Sequence, residues 1–380
     1  MQIYREEHRV FRQAVRKFIE KEMIPYLDQW EEKGEFPREM WSRLGRQGYL
    51  CPWLPEDLGG IGADFEYSVI IAEELSRIDS GIGISLHSDI VAPYIFSYGQ
   101  LEQKVRWLPQ CATGELILAI AMTEPNAGSD LQGIQTTALK RGDEYVINGQ
   151  KTFISNGMVA DLIIVVAKTD PKAQPAYKGL SLLAVPADTP GLSRRKLQKM
   201  GLHLVDTAEL FFEDCRVPKT HLLGEEGKGF FYLMEKLPQE RLLSALFSQS
   251  LAESMLEDAL NYARERKAFG RAIGDFQHNA FKLAEMATEV QLGRTFLDDL
   301  IAQHIAGKDI AVRVAMAKWW ISEMANRVAY HALQLHGGYG YMEEYSISRR
   351  FRSIRAHSIF AGTTEVMKMI IARQMGLSGF

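Results

Sequence analysis

Apolar residues recur every three to four positions through 4–24, 37–49, 63–78 and 101–112, and this spacing predicts helices. A Gly/Pro-rich turn, PEDLGGIG at 55–62, separates two of them. Between 117 and 225 the pattern changes. The short runs 144–147 (EYVI), 150–155 (QKTFIS), 162–168 (LIIVVAK), 180–185 (LSLLAV) and 208–213 (AELFFE) predict strands. Asn148-Gly149 lies between two of these runs and predicts a hairpin, because a type I′ turn needs positive φ at both central residues. No helical stretch intervenes, so the strands are expected to pair antiparallel rather than form βαβ units. From 227 the helical period returns, over 239–266, 275–305, 310–335 and 363–375. KAFGRAIG (267–274) and HGGYGY (336–341) are short connections, as in an antiparallel four-helix bundle. The expected fold is therefore α+β and multidomain. It has an N-terminal α-helical domain (1–116), a middle antiparallel β domain (117–226) and a C-terminal antiparallel four-helix bundle (227–380).

Composition narrows the class. The 380 residues are 46% hydrophobic, enough for a large buried core. Net charge is −4, from 44 basic and 48 acidic residues, which points away from nucleic-acid partners and anionic membranes. The apolar run LIIVVA at 162–167 is far too short to span a bilayer, so no membrane insertion is expected. The N-terminal stretch is amphipathic with both charge signs and lacks the uninterrupted apolar core of a signal peptide. Cys51, Cys111 and Cys215 stand in no metal-ligand spacing, and no HExxH pair occurs. A reducing, cytoplasmic setting without disulfides or a metal site is expected.

Five stretches carry candidate chemistry. AMTEPNAGSD (121–130) is either an ordinary helix-to-strand connection or a loop whose N–H groups hold a polar ring edge or phosphate. RERKAFGRAIGDFQ (264–277) clusters Arg264, Arg266, Lys267 and Arg271 around Phe269, as a solvated helix end or a phosphate grip. QLHGGYGYMEE (334–344) does not match GxGxxG and follows a helix, so a dinucleotide fold is not implied. In FAGTTEVMKMIIAR (360–373), Gly362, Thr363 and Thr364 read as a helix start with hydroxyl caps, and Glu365 suits the dipole. The fifth, FFYLMEKLPQERLLSALF (230–247), sets Glu240 and Arg241 among core-type neighbours. Pro238 allows a bland reading there, with Glu240 as an acid in the first turn of a helix.

In order and spacing, AMTEPNAGSD, NGQKTFISNG, LPQER, RERKAFG, QLHGGYG and FAGTTE resemble the acyl-CoA dehydrogenase family over residues 5–375. SLHSDIVAPYI (85–95), KMGLHLVDTAELFFED (199–214) and LPQERLLSA (237–245) are most similar to its long-chain members. The resemblance implies non-covalent FAD and oxidation of a saturated acyl-CoA, medium- to long-chain, to the trans-2-enoyl-CoA. It implies that Met122, Thr123, Gly128 and Ser129, then Phe153, Ile154 and Ser155, line the flavin and thioester. Arg266, Phe269, Gln277 and Gln334, Leu335, His336, Gly337 and Gly338 would hold the adenosine and pyrophosphate of a neighbouring subunit's FAD. Thr363, Thr364 and Glu365 would close over the cofactor. Ser129, Phe231, Gln239, Arg241 and Gly362 would meet substrate. Sharing FAD implies at least a dimer, with a homotetramer as the family pattern. An electron-transfer flavoprotein is the implied electron acceptor.

One departure matters. Most members carry the catalytic glutamate in a YEGT-like run, and here that run is FAGT, with Ala361 in its place. Long-chain and isovaleryl members instead carry the base on the bundle helix, before an Arg, with a small residue in the loop. Glu240–Arg241 together with Ala361 matches both halves of that arrangement. The resemblance thus implies Glu240 as the α-proton base, hydride transfer to flavin N5, and the Ala361 N–H as a donor to the thioester carbonyl. Two carboxylates in one site would repel and raise one pKa, which suits a methyl group opposite the acid. Rival readings are other chemistry on the same scaffold (a branched or dicarboxylic acyl-CoA dehydrogenase, a desulfinase or a monooxygenase) or a non-enzymatic scaffold.

Overall fold

The computed structural model describes residues 4–79 and 81–377. The N-terminal region holds α1 (Glu6–Glu22), α2 (Leu27–Lys33), α3 (Arg38–Arg46), α4 (Phe65–Ser76) and α5 (Gly81–Ser85). A π turn, Leu86–Val91, leads into α6 (Ala92–Tyr98), and α7 (Leu101–Thr113) closes the region. Pro93 offers no N–H to the helical turn before it, and the carbonyls of Ser88 and Asp89 there accept instead from Trp53 Nε1 at 3.0 Å and Gln239 Nε2 at 2.6 Å.

The middle region contains β1 (Leu118–Ala121), β2 (Thr137–Arg141), β3 (Glu144–Ser155), β4 (Leu162–Lys168), β5 (Leu180–Pro186), β6 (Leu192–Lys196), β7 (Thr207–Pro218) and β8 (Leu222–Leu223). Spatial order is β6-β7-β3-β2-β4-β5-β8, with β1 also on β4. Most pairs are antiparallel as expected, but β1–β4 and a single β2–β4 pair are parallel. β4 shows why its sequence is apolar throughout. Leu162, Ile164 and Val166 enter one core, while Ile163, Val165 and Ala167 enter another. A strand covered on both faces has no polar side to show.

The expected turn at Asn148-Gly149 is corrected. Both residues lie inside β3, at a register shift between Ile147 and Gly149, and the chain reverses instead at 142–143. The Asn148 amide donates to Asp214 and its carbonyl accepts from the Asp214 N–H, so the residue stitches β3 to β7. A Cβ on Gly149 would stand 2.5 Å from Thr136 Oγ1, so this glycine serves a close strand approach and not a turn.

The C-terminal region is built on α8 (Gly229–Glu265), a hairpin of β9 (Lys267–Ala268) and β10 (Arg271–Ala272), α9 (Gln277–Ile305), α10 (Ala311–His336), α11 (Ser346–Ile354) and α12 (Thr364–Gln374). α8 begins ten residues before the expected start, so Glu240 is well inside the helix and not an acid of its first turn. Pro238 frees the carbonyl four residues back, yet the helix runs through it. The centre of α8 is buried all round, from Leu242 to Ala252, because it packs against α4, α9 and α10. Arg294 ties this bundle to the N-terminal region: it pairs with Glu73 at 2.7 Å and Glu253 at 2.8 Å. Among the described residues no helix is long and apolar enough to cross a membrane.

Candidate active site

A cavity of about 550 Å³ opens where the three regions meet. The loop after β1 supplies Met122, Thr123, Gly128 and Ser129, and the end of β3 supplies Phe153, Ile154 and Ser155. α8 supplies Glu240, Arg241 and Ser244, and the loop before α12 supplies Ala361 and Gly362. The expected flavin-side residues and the expected base thus share one chamber. Its remaining wall is largely apolar, with Ile82, Leu86, Ile90, Ile120 and Phe247 among the lining side chains.

Phe153 reaches the chamber through a backbone device. The β3–β7 register shifts between Lys151 and Ile154, and Phe153 takes φ 58°. A bulge of this kind re-aims a side chain. Phe153 remains 68% exposed, an unusual state for a phenyl ring in a sheet and one that leaves its face for a planar ligand. Next to it, Lys151 is buried with Glu124: Nζ stands 2.8 Å from the carboxylate and donates to the Met122 carbonyl at 2.9 Å. Glu124 also accepts from the N–H groups of Gln135 (2.6 Å) and Thr136 (3.0 Å). This pair fixes the 122–130 loop to β3.

Glu240 is 7% exposed. Burial is the main influence on its carboxyl and pushes it up to about 7; a hydrogen bond from Tyr94 and the charge of Arg241 pull the other way. Tyr94 Oη donates to Glu240 Oε1 at 2.7 Å. The opposing loop carries no acid at 361. Ala361 (φ 53°) and Gly362 (φ 93°) are both left-handed, and a buried Lys318 donates to the Gly362 carbonyl at 2.6 Å. Thr363 caps α12, its Oγ1 accepting from the Val366 N–H at 3.3 Å.

Several expected residues lie elsewhere. Arg266, Leu335, His336, Gly337 and Gly338 line a separate cavity with Tyr262 and Tyr339. Phe269 stands at the β9–β10 tip, 94% exposed with φ 52°. Gln277 opens α9, and Gln334 lies in the last turn of α10. Phe231 is on the outer part of α8, against Tyr177. Gln239 turns away from the cavity, donating to the Asp89 carbonyl at 2.6 Å and meeting His304 at 3.0 Å. Thr364 bonds Glu323, and Glu365 is exposed, outside the central cavity wall. The residues missed in the sequence are Tyr94, Lys151, Glu124 and Lys318. Tyr94 sits in a quoted stretch, but nothing local marks its partner 146 residues away.

The lining of the central cavity has the chemistry that a flavin ring would need: an exposed aromatic face, hydroxyl groups and unpaired polar atoms. Two buried polar atoms of its wall, Arg241 Nε and Ser244 Oγ, have no hydrogen-bond partner among the described residues. Unpaired buried donors are costly unless a ligand satisfies them. Met122, Thr123, Ser129, Phe153 and Ser155 would hold the ring system there, and Arg266 with Gly337 and Gly338 offers a second, cationic contact for a phosphate.

Comparison with known proteins agrees over the whole length. Residues 5–115, 119–215 and 227–376 match, in turn, the "Acyl-CoA dehydrogenase" N-terminal, middle and C-terminal domains. The chain is 48% identical over 375 residues to the mitochondrial long-chain specific acyl-CoA dehydrogenase of Rattus norvegicus, covering 98% of this chain and 87% of that one. It is 37% identical over 373 residues to the caffeyl-CoA reductase-Etf complex subunit CarC of Acetobacterium woodii, covering 97% and 98%. Among solved structures, an acyl-CoA dehydrogenase from Geobacillus kaustophilus superposes with a TM-score of 0.98 at 60% identity, covering 98% of this chain and 99% of that one. With all three domains matched in order around one chamber, the chain belongs to the acyl-CoA dehydrogenase family and is an oxidoreductase.

Proposed function

We propose that this protein dehydrogenates a saturated medium- to long-chain acyl-CoA to the trans-2-enoyl-CoA, with Glu240 as the base that removes the α-proton. The observation that carries this reading is the buried Glu240 carboxylate on the wall of the three-domain cavity, a wall to which the loop before α12 contributes Ala361 and no acid. A group raised to about 7 is a competent base near neutral pH, whereas an ordinary carboxylate is too weak. The Ala361 N–H is the donor for the thioester carbonyl, where negative charge grows as the proton leaves. Its left-handed backbone, with Lys318 on the next carbonyl, sets where that donor points. The apolar wall of Leu86, Ile90 and Phe247 suits an alkyl chain and excludes water from the carboxylate. Bound FAD supplies the two-electron acceptor for the β-hydride.

The resemblance to long-chain enzymes supports the substrate class, and the relative named for an Etf complex supports an electron-transfer flavoprotein as acceptor. The exposed Phe269 and the cavity at Arg266 suit the adenosine end of a neighbouring subunit's FAD, hence at least a dimer, with a tetramer as the family arrangement.

Glu240→Gln keeps the shape and removes the base. The variant is expected to purify yellow yet reduce its flavin on the order of 10²–10⁴-fold more slowly with a saturated acyl-CoA under anaerobic conditions. Glu365→Gln is the comparison. If it abolishes flavin reduction while Glu240→Gln does not, the assignment is wrong. A graded series of straight and branched acyl-CoAs against a dye acceptor fixes the chain-length class.

A further inference from the structure

The π turn before α6 gives Leu86 and Ile90 to the cavity wall, and Tyr94, four residues on, continues the same line. Tyr94 is fully buried and is not part of the wall itself. Its hydroxyl donates to Glu240 Oε1 at 2.7 Å. No other hydrogen bond reaches that carboxylate among the described residues, so Oε2 is left free.

We propose that Tyr94 is a positioning residue for the reaction: its hydroxyl holds one oxygen of Glu240 and so presents the other to the substrate's α-carbon. This rests on the reading of Glu240 as the base.

The physical case is direct. A glutamate side chain has three rotatable bonds, and a donor on one oxygen removes most of that freedom. A phenol O–H also favours the ionised carboxylate, the form that accepts a proton. Tyr94 stays a donor because burial, and then the charge of Glu240, hold its hydroxyl far above its ordinary range. Few other charged groups share this cavity; Lys199 is one, its Nζ donating to the Leu202 carbonyl at 2.7 Å. Arg241, next to Glu240 on the same helix, lowers that carboxyl's affinity for a proton, and it also lowers Lys318 on α10. Tyr98 on α6 stands behind Tyr94, ring centroids 6.2 Å apart. The Ala361–Gly362 loop brings no ionisable side chain.

A merely space-filling tyrosine would leave the pH profile alone, and this separates the two roles. The probe is dodecanoyl-CoA with a dye acceptor and the FAD-loaded enzyme, read as kcat/KM against pH, which reports groups of the free enzyme. Tyr94→Phe should move the acid limb up by about one unit, so that activity falls about tenfold below the limb and recovers above it. Tyr98→Phe, which removes a hydroxyl that does not touch Glu240, should leave the limb in place. Replacing Tyr94 by 3-fluorotyrosine, a stronger donor of nearly the same size, should move the limb down. An unmoved limb in both position-94 variants overturns the proposal, whatever happens to the plateau. If Tyr94→Phe does not hold FAD, the fluorinated protein decides alone. Were Glu240→Gln fully active, the base assignment would fail and Tyr94 would fall with it. An inactive Glu240→Gln beside an unmoved limb sinks only the role of Tyr94.

Discussion

Lys318 Nζ donates a 2.6 Å hydrogen bond to the carbonyl of Gly362, which joins the first third of α10 to the loop that shares a cavity with Glu240. The lysine is fully buried, and no salt bridge to it occurs among the described residues. Burial, with Arg241 nearby, lowers it to about 7. It is therefore held as a hydrogen-bond donor more than as a charge.

Lys318→Met keeps the stem and removes that donor. Holding the lysine at about 7 instead of its ordinary 10.5 costs the folded protein stability at neutral pH, and that cost is lifted as pH rises towards 10.5; Met never carries it. The variant, which leaves the Gly362 carbonyl unpaired, should therefore lose stability relative to the native protein as pH rises from about 7 to about 10, read from denaturant midpoints. The left-handed pair Ala361–Gly362 also loses its anchor. Flavin reduction should slow while FAD stays bound, which stopped-flow absorbance would read.

Glu240 gives stability a pH dependence of known sign. Its folded value, about 7, lies above its ordinary value of 4.5, so the folded protein holds the proton more tightly than the unfolded chain. Its contribution is full below the ordinary value and fades as pH rises through about 7. Relative to Glu240→Gln, the native protein should lose on the order of 1–3 kcal/mol between about pH 5 and pH 8. Parallel urea titrations of the two proteins test this; a constant difference across that range would contradict it.

Arg294 holds a buried acid in place. Glu73 pairs with Arg294 at 2.7 Å and with Arg12, and Arg12 also reaches Glu74 at 3.0 Å. Arg294→Met leaves Glu73 with one cation fewer in a desolvated position. About 3–5 kcal/mol is the usual cost of breaking such a pair on one side. The change lies on the seam between α4 and the bundle, so a fall in thermal midpoint should come with earlier loss of bound flavin.

Phe269 tests the shared-cofactor reading. Its ring is 94% exposed at a hairpin tip, so within one subunit its removal costs almost nothing. If it packs on a neighbour's FAD, Phe269→Ala should weaken cofactor retention roughly fivefold, from about 1 kcal/mol of lost aromatic contact. Gel filtration with absorbance at protein and flavin wavelengths would show the ratio fall while the subunits stay folded.

Local order carried much of this protein in its sequence. The run at 162–168 coincides with β4, and the stretch 275–305 differs from α9 by two residues at one end. What escaped was set by contacts across the chain. Asn148-Gly149 has turn chemistry, but pairing with β7 by nine residues of β3 outweighs it. Pro238 reads as a helix start, yet burial of α8 on several sides carries the helix past it. The short β1 and β6 lack a run long enough to stand out. In the site, a known motif pointed to Glu240 and Ala361, and both line the central cavity. Tyr94, Lys318 and the Glu124–Lys151 pair act on partners 27 to 146 residues away, and no local spacing announces such a partner.

α8 is one uninterrupted rod from Gly229 to Glu265, and Glu240 and Tyr262 on it serve different cavities about 33 Å apart, at ~1.5 Å per residue. Adding or deleting a single residue between them would rotate one end against the other by about 100°. Either the acid or the aromatic would then leave its chamber. The span 241–261 is thus a fixed ruler: its length cannot change without emptying one chamber of its side chain.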